Sequence, residues 1–532
     1  MRIAAGVSRP GPVRRAAAAR TVADRGAWPI LTLLAVVGGL GALIAVTGRG
    51  AFIDEGIYLV AGRTLAFRGE NWGYDLWFNG SPFAFPLLAG VVQRFGGGLV
   101  AVRLVNVGFL LIAVWSVYKM GSALRLAWPA PVLGAAAFGL AGPVLFTGSF
   151  ATYDVSAVAA TSVALWLVLL GTPDERVRPW LLVGAGLALA GAVILKYVVI
   201  AITPAFLALV LARLAPIDRP YLRPRRWRPA LTGAALATIP AALVIGLYVL
   251  AFWSSLQVLI AFRGFHLTNY GATSLAIVWA VLLYVGSAWL VACIGLERLH
   301  GDRRAVVVGL VLVGGSLIMP LYHILLADPL ALFKQVSWSL LLLAPLNGLA
   351  LASLLPRRRL FVAVSVALLA VSLYHVLTLR AFYPDTRPAA AWLRANSSPT
   401  ADPILVDNGW PYRYELAGTF AGREWWVAEQ WWWPRRSATH EGWQLASPEL
   451  WRDLIRQGTF SYVVFERGGA FNGRGSVFDA SVIEVLEQSG RYQLVARFPS
   501  PVTWGNSILP PPFRGELRAY DVVPTEVWAR VR

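Results

Sequence analysis

Residues 28–61 read WPILTLLAVVGGLGALIAVTGRGAFIDEGIYLVA, and this stretch decides the fold class. Its first part, residues 28–47, is an uncharged, mainly apolar run of the roughly 20 residues that a membrane-spanning helix needs. The run is longer than the roughly 7–15 residues of a signal-peptide core, and no Ala-x-Ala-like site closes it. We therefore interpret it as an uncleaved first span, preceded by an Arg-rich cytoplasmic N-terminus over residues 1–27.

The same kind of run recurs along most of the chain. Of 532 residues, 57% are hydrophobic and only 14% are charged, which is far from the composition of a soluble domain. The single cysteine, Cys293, rules out a disulfide framework and a cysteine metal site. The apolar runs predict about eleven spans: 28–47, 98–118, 130–149, 152–170, 180–196, 198–213, 230–250, 273–295, 305–325, 336–355 and 360–379.

The positive charge is distributed as in a membrane protein. The net charge of +19 comes from short clusters between the apolar runs, so we read it as the positive-inside pattern and expect no nucleic-acid partner. Five successive connectors are cationic, and they contain Lys119, Arg125, Arg176, Arg178, Arg213, Arg219, Arg223, Arg225, Arg226, Arg228, Arg298, Arg303, Arg304, Arg357, Arg358 and Arg359. This pattern predicts a cytoplasmic N-terminus, with residues 48–97 and the C-terminal tail outside.

The first outer loop, residues 48–97, is too polar to span in its first half. Its apolar residues recur at near i+4 spacing, which predicts a short helix on the membrane surface. These residues are Ile53, Ile57, Val60, Ala61 and Leu65. A second short helix is predicted over Phe83–Phe95, after the start signal Ser81-Pro82.

The chain changes character after the last span. Residues 28–380 form the predicted membrane domain, and residues 381–532 alternate between helix-like and strand-like segments, as a small extracytoplasmic α/β domain would. The predicted helices are Pro388–Ala395, Glu449–Gln457 and Ser481–Gln488, and the predicted strands are Pro403–Val406, Tyr462–Phe465 and Tyr492–Phe498.

Three acidic residues lie at the predicted outer surface. Asp54 and Glu55 have two interpretations. They are ordinary charges at a helix start, favoured by the helix dipole, or one of them is a general base held beside the membrane. Asp154 lies at the edge of an apolar helix, where it either caps the helix or takes part in function. Two such carboxylates at one level could share an acceptor hydroxyl or a metal.

Cations gather at the same level as these carboxylates. Either they reach individually towards the membrane interface, or as a set they bind a phosphate-bearing lipid and neutralise its charge. These cations are Arg63, Arg68, Arg103, Lys196, Arg263 and Lys334. His266 and His323 are either ligands or ordinary polar contacts, and no metal-ligand spacing is present. The tryptophan-rich segment 425–433 is better explained by anchoring at lipid headgroups than by sugar stacking.

These residues resemble a known family. Asp54-Glu55-Gly-Ile-Tyr58-Leu-Val-Ala61, after one span, resembles the first-loop signature of the bacterial protein-mannosyltransferase-like family. These GT-C glycosyltransferases include the aminoarabinose transferases of lipid A. Leu195 and Tyr197 depart from the family's Ser-Lys-Gly-Pro ending. The resemblance covers roughly residues 28–350, and its further matches in chain order are Ser81-Pro82 to Pro86-Leu87, Arg103-Leu104, Tyr153-Asp154 and Gly184 to Lys196-Tyr197.

The resemblance implies sugar transfer from a polyprenyl-phosphate donor to an acceptor on the outer side of a bacterial plasma membrane. Asp54 would be the general base of an inverting reaction, and Asp154 would orient the acceptor or tune Asp54. Lys196 and nearby arginines would stabilise the leaving phosphate. The remaining residues implied to bind substrate are Glu55, Tyr58, Arg63, Arg103, Tyr153, Arg263, His266 and Lys334, although Glu55 could instead be a structural helix-start residue.

Two other classes of protein remain as alternatives. A lipid or sugar transporter would place its site near the bilayer midplane in repeated halves, whereas the charges here lie at span ends and no internal repeat is visible. A non-catalytic cell-envelope assembly protein would use the tail to bind a partner. The sugar, the acceptor and the participation of a divalent metal are left open.

Overall fold

The computed structural model describes residues 27–67, 83–216, 227–254, 256–257, 260, 274–326, 331–381, 383–398, 402–417, 427–429, 432–434, 443–445, 447–466, 480–502 and 521–531. The helices of the membrane domain are α1 Trp28–Val46, α2 Ile53–Phe67, α3 Ala84–Arg94, α4 Leu99–Ala123, α5 Ala130–Gly139, α6 Gly142–Gly148, α7 Asp154–Gly171, α8 Pro179–Leu195, α9 Thr203–Leu214, α10 Arg228–Ala251, α11 Ser274–Val281, α12 Ser287–Glu297, α13 Arg303–Ser316, α14 Ile318–Leu325, α15 Leu332–Leu354 and α16 Arg358–Arg380. A 3₁₀ segment, Tyr197–Ile202, leads into α9, and a π-helical turn, Leu282–Gly286, joins α11 to α12.

The polytopic helical prediction is confirmed. Among the described residues, nine helices are long and apolar enough to cross a membrane, and a bent helix pair raises the number to ten. The shorter apolar helix Pro179–Leu195 corresponds to a further predicted run. The chain is therefore a multi-pass membrane protein.

One predicted span is sharply bent. Residues 130–149 form α5 and α6, which are bent by 66° at their junction. Ala141 is extended, with ψ 129°, directly before the Gly142-Pro143 pair that starts α6. Proline supplies no backbone N–H, so the α-helical ladder is interrupted there. The hydroxyl of Ser372 donates a hydrogen bond to the Leu140 carbonyl, which compensates for part of the interruption.

Helix α15 forms the centre of the bundle. Of the residues in an 18-residue apolar stretch of α15, 83% are buried, whereas in α10 the buried share is 11%. The exposed leucines of α10 form an outer face suited to lipid. Close backbone approach explains part of this packing. A Cβ on Gly348 would lie 2.2 Å from the Ala130 carbonyl oxygen, and one on Gly295 would lie 2.1 Å from that of Leu346. Small residues at such contacts are typical of packed membrane helices.

Helix α2 differs from the predicted surface helix in its surroundings. It is helical as expected, but residues 55–62 are all buried, because protein covers the helix on two sides. Helix α3 packs against one side, where a Cβ on Gly62 would lie 2.1 Å from the Pro86 carbonyl oxygen. Helix α18 (Gly409–Glu415) of the tail covers another side, where a Cβ on Gly56 would lie 2.6 Å from the Trp410 carbonyl carbon. We call this end of the bundle the site end.

The tail folds as the α/β class predicted. Its sheet has the order β4-β3-β2-β1-β5-β7-β6, in which β1 is parallel to β2 and β5 and the other neighbouring pairs are antiparallel. Two apolar layers pack on its faces, one built on Trp451, Phe460 and Phe465 and one on Leu393 and Tyr412. The strands are β1 Ile404–Val406, β2 Val427–Glu429, β3 Trp432–Pro434, β4 Trp443–Leu445, β5 Tyr462–Glu466, β6 Tyr492–Val502 and β7 Asp521–Arg530, and the remaining helices are α17 Arg387–Asn396, α19 Pro448–Arg456 and α20 Ala480–Gln488.

Candidate active site

A buried ion pair fixes the start of helix α2. The side chain of Glu55 is 0% exposed, and its carboxylate accepts hydrogen bonds from Nε and Nη2 of Arg103 at 2.8 and 2.6 Å. The backbone N–H of Ala151 donates to Glu55 Oε1 at 2.7 Å, and that of Phe52 donates to Oε2 at 3.0 Å. The Phe52 contact is the return bond of a capping box, in which the third helical residue reaches back to the cap. Both carboxylate oxygens of Glu55 are thus engaged by protein donors.

Arg103 extends this anchor to the linker that follows the last span. Its guanidinium also donates to the carbonyl oxygens of Arg49 at 3.0 Å and Gly50 at 3.2 Å, and to the hydroxyl of Tyr383 at 3.3 Å. The Tyr383 hydroxyl donates in turn to the Gly50 carbonyl at 3.0 Å. The backbone N–H of Gly50 donates to Asp385 at 3.0 Å. The loop before α2 is therefore held both by α4 and by the linker that follows the last span.

Four charged side chains form a chain of contacts beside this anchor. The ammonium of Lys334 contacts Asp54 Oδ2 and lies 3.5 Å from Asp154 Oδ2. The ammonium of Lys196 contacts Asp154 Oδ1. Asp154 is 0%, Lys334 4% and Lys196 8% exposed, whereas Asp54 is 25% exposed. Of these four groups, Asp54 is the one most open to a molecule arriving from the site end.

Aromatic rings surround the four charges. The rings of Tyr58 and Tyr153 stand 4.7 Å apart, and the Lys196 ammonium lies 5.1 Å from the Tyr153 ring and 5.9 Å from that of Trp338. Burial raises the pKa of both tyrosines, and the negative charges of Asp54 and Asp154 raise them further. Both phenols are therefore neutral, and their hydroxyls hydrogen-bond to each other beside the carboxylates.

The comparisons with known proteins bear on the fold. No protein-family model and no curated protein sequence matches the chain. Among solved structures, the chain superposes on ArnT from Cupriavidus metallidurans bound to undecaprenyl phosphate, with a TM-score of 0.50, 15% identity, and coverage of 94% of this chain and 98% of that one. The fold is that of the GT-C glycosyltransferases.

A second neighbour with the GT-C fold is larger. The arabinofuranosyltransferase AftD from Mycobacteria superposes with a TM-score of 0.50 and 16% identity over 93% of this chain. This chain spans only 39% of AftD, so its length corresponds to about two fifths of that protein. The fold implied by the first-loop resemblance is confirmed by both superpositions.

The remaining residues that the sequence singled out are Arg63, Arg68, His323, Arg263 and His266. Arg63 is nine positions from Asp54 along α2, roughly 13 Å away at 1.5 Å per residue, and it donates to Gln93 and lies over the Tyr414 ring. His323 is fully buried and its Nε2 is 3.0 Å from Gln335 Oε1. Arg68, Arg263 and His266 lie outside the described residues.

Two further features considered in the sequence are the tryptophan-rich segment and a possible metal site. Within the segment 425–433, residues 427–429 and 432–433 have the backbone of strands β2 and β3, and the rest lies outside the described residues. In the part of the chain that the structure describes, no group of three or more His, Cys, Asp or Glu side chains is arranged to hold a metal ion.

Sequence reasoning missed the linker and tail residues that touch the first loop. Tyr383 contacts Arg103, and the Tyr414 hydroxyl accepts a hydrogen bond from the Leu99 backbone N–H at 2.8 Å, at the start of α4. These partners are more than 250 residues apart, so no local pattern relates them. The local signal is the aromatic pair Phe382-Tyr383 directly after the last predicted span.

Proposed function

We propose that the chain is a membrane glycosyltransferase that moves a sugar from a polyprenyl-phosphate carrier to an acceptor hydroxyl at the site end. The observation that supports this most is the partly exposed Asp54, held beside buried Lys334 and Asp154 within a GT-C fold. The solved ArnT structure contains undecaprenyl phosphate, which supports a lipid-phosphate donor. The positive-inside pattern favours a bacterial plasma-membrane protein with an outward-facing site and a cytoplasmic N-terminus.

Asp54 is the proposed general base. Its carboxylate takes the proton of the acceptor hydroxyl while that oxygen attacks the anomeric carbon of the sugar. The bond between that carbon and the phosphate oxygen breaks, its electron pair stays with the phosphate, and the configuration inverts. Glu55 is a poorer candidate, because Arg103 and two backbone N–H groups engage its carboxylate.

Lys334 is the better-placed cation for the leaving phosphate. It touches the partly exposed carboxylate of Asp54, whereas Lys196 contacts the fully buried Asp154. A fixed ammonium next to the breaking bond stabilises the charge that develops on the leaving phosphate, so a strong acid is not needed. In this assignment Lys196 holds Asp154 in place, and Asp154 orients Lys334 between the two carboxylates.

The test is a transfer assay with purified protein in lipid nanodiscs. Polyprenyl-phosphate sugars and candidate acceptors are supplied, and mass analysis of products follows transfer in the natural protein, in Asp54→Asn and in Asp174→Asn. Asp174 is an exposed carboxylate, 61% exposed and paired with Arg125, and serves as the matched control. We expect product from the natural protein and the control, and a loss of about 10²–10⁴-fold for Asp54→Asn.

Two results would contradict the proposal. Full transfer activity in Asp54→Asn would remove the general base. Movement of lipid-linked sugar across a sealed vesicle membrane without any transfer product would indicate a transporter instead.

A further inference from the structure

A second cluster of buried polar groups lies in the tail, apart from the proposed active site. Asp407 follows strand β1 and Glu466 ends strand β5, and each is only 1% exposed. Strands β1 and β5 are parallel neighbours, and the backbone N–H of Glu466 donates to Asp407 Oδ2 at 2.6 Å. Two carboxyl groups are therefore buried side by side at the carboxyl ends of these strands.

The carboxyl pair lies at the carboxyl ends of two parallel strands inside the sheet. From β1 the chain passes to β2 on one side, and β5 is added on the other side of β1. The carboxyl ends of β1 and β5 thus flank the point at which the strand order reverses. In open α/β sheets, ligands bind in the crevice outside the strand ends at such a point.

Three neutral oxygens border the two carboxyl groups. Asn408 adjoins Asp407 in sequence, and Thr525 lies directly opposite Glu466 in the β5–β7 register, so their side chains share one face of the sheet. Tyr412 packs in the same apolar layer as Val406, which directly precedes Asp407, and Val464, two residues before Glu466, and burial raises the pKa of its hydroxyl. Asn408 is 6%, Thr525 1% and Tyr412 0% exposed.

These oxygens are not satisfied by hydrogen bonds within the described residues. Asn408 Oδ1, Tyr412 Oη, Thr525 Oγ1 and Asp407 Oδ1 have no hydrogen-bond partner there. A buried polar atom without a partner costs about 1–3 kcal/mol, so these four atoms, one of which belongs to the carboxyl pair itself, call for a ligand. A proton shared between the carboxyls would not satisfy the amide oxygen of Asn408.

The donor set identifies the class of ligand. It consists of oxygen atoms alone, with two carboxylates and three neutral groups, which suits a hard divalent cation. Ca²⁺ accepts 6–8 oxygens at about 2.3–2.6 Å in irregular geometry, whereas Mg²⁺ demands a near-ideal octahedron and keeps several waters. Oxygen ligands of one Ca²⁺ direct their lone pairs at the ion, so they need no hydrogen bonds to one another.

We propose that Asp407, Asn408, Tyr412, Glu466 and Thr525 form a Ca²⁺ site in the C-terminal domain. Helix α18, which carries Tyr412, is the element that packs against Gly56 of α2 through Trp410. The bound ion neutralises the buried carboxylates and fixes α18 against the first-loop helix. This inference does not depend on the sugar-transfer reaction, since it concerns the tail and its stability.

The test uses the full-length protein in nanodiscs, freed of metal with a chelator. Ca²⁺ at about 5 mM exceeds the Kd of roughly 10⁻⁴–10⁻³ M typical of extracellular modules, and should raise the thermal unfolding temperature. Tb³⁺ should bind with sensitised luminescence, because tryptophan and tyrosine lie on the same helix as the site, and Ca²⁺ should displace it. Mg²⁺ at the same concentration should have a smaller effect.

Variants separate this site from surface binding. In Asp407→Asn and Glu466→Gln the Ca²⁺-dependent shift and the Tb³⁺ signal should disappear, whereas Asp453→Asn should keep both, since Asp453 is a 62% exposed carboxylate in the same domain. Should a variant fail to fold, the metal content of the natural protein after dialysis decides. The proposal is overturned if the natural protein shows neither bound Ca²⁺ nor a shift, if Mg²⁺ binds more tightly, or if Asp407→Asn retains the response.

Discussion

Replacing Glu55 by glutamine should destabilise the whole membrane domain, because it breaks a fully buried ion pair. The amide retains one acceptor oxygen, but its NH₂ group would face the donors Phe52 N–H and Arg103 Nη2, which now contact Glu55 Oε2. Removing one partner of a buried pair costs about 3–5 kcal/mol. At an unfolding entropy of about 2.1 cal/mol/K per residue, a domain of roughly 350 residues shifts by about 1.4 °C per kcal/mol, so the unfolding temperature should fall by about 4–7 °C.

The assay is thermal unfolding of the purified protein in detergent, followed by size-exclusion chromatography with tryptophan fluorescence. The matched control is Asp174→Asn, which removes an ion pair whose partners are 61% and 71% exposed. Exposed pairs contribute roughly 0–1 kcal/mol, so the control should stay within about 2 °C of the natural protein. Equal shifts for Glu55→Gln and Asp174→Asn would refute the reasoning from burial.

A double-variant cycle separates the ion pair from its other contacts. Replacing a buried pair with apolar groups of similar volume is often close to neutral. Adding Arg103→Met to Glu55→Gln should therefore recover part of the lost stability. If the double variant loses the sum of the two single losses, the two side chains are not coupled and Glu55 stabilises α2 only through its backbone contacts.

Three further outcomes follow from the structure. Lys334→Met should lower the transfer rate by about 10²–10³-fold, and Lys334→Arg should retain more activity because a cation stays beside Asp54, as single-turnover rates would show. Burial raises the pKa of Asp407 to about 7, and burial together with the charge of Asp407 raises that of Glu466. In chelator, therefore, the tail should lose stability as pH rises from about 4, the unfolded value, to 7, and Ca²⁺ should reverse the loss. A Cβ on Gly62 would lie 2.1 Å from a carbonyl oxygen of α3, so Gly62→Val should cost at least about 1–3 kcal/mol by overpacking, seen as a lower unfolding temperature than for the exposed variant Asp174→Asn.

The spans and the level of the charged residues could be predicted because lipid imposes simple rules. A membrane helix must be apolar over a fixed length, and cationic loops report its orientation, so Asp54, Asp154, Lys196 and Lys334 were expected at one end. Their pairing was not predictable, since it depends on how each helix is rotated in the bundle. The Gly142-Pro143 pair carried a signal for the bent span, which the continuous apolar run concealed.

The long-range contacts escaped prediction for a different reason. Tyr383 meets Arg103 only because the linker after α16 folds back onto the first loop. Asp407 and Glu466 come together only because β1 and β5 are neighbours, and strand order cannot be read from alternating helix and strand patterns. Both arrangements depend on tertiary packing that joins segments far apart in the chain.

The central claim is that Asp54 acts as the base in sugar transfer, and the single-turnover transfer rate of Asp54→Asn tests it most directly. The measurement uses saturating polyprenyl-phosphate sugar, with donor binding by the variant checked separately. We predict intact donor binding and a rate lower by about 10²–10⁴-fold. A variant that binds donor and transfers sugar at the natural rate would contradict the claim.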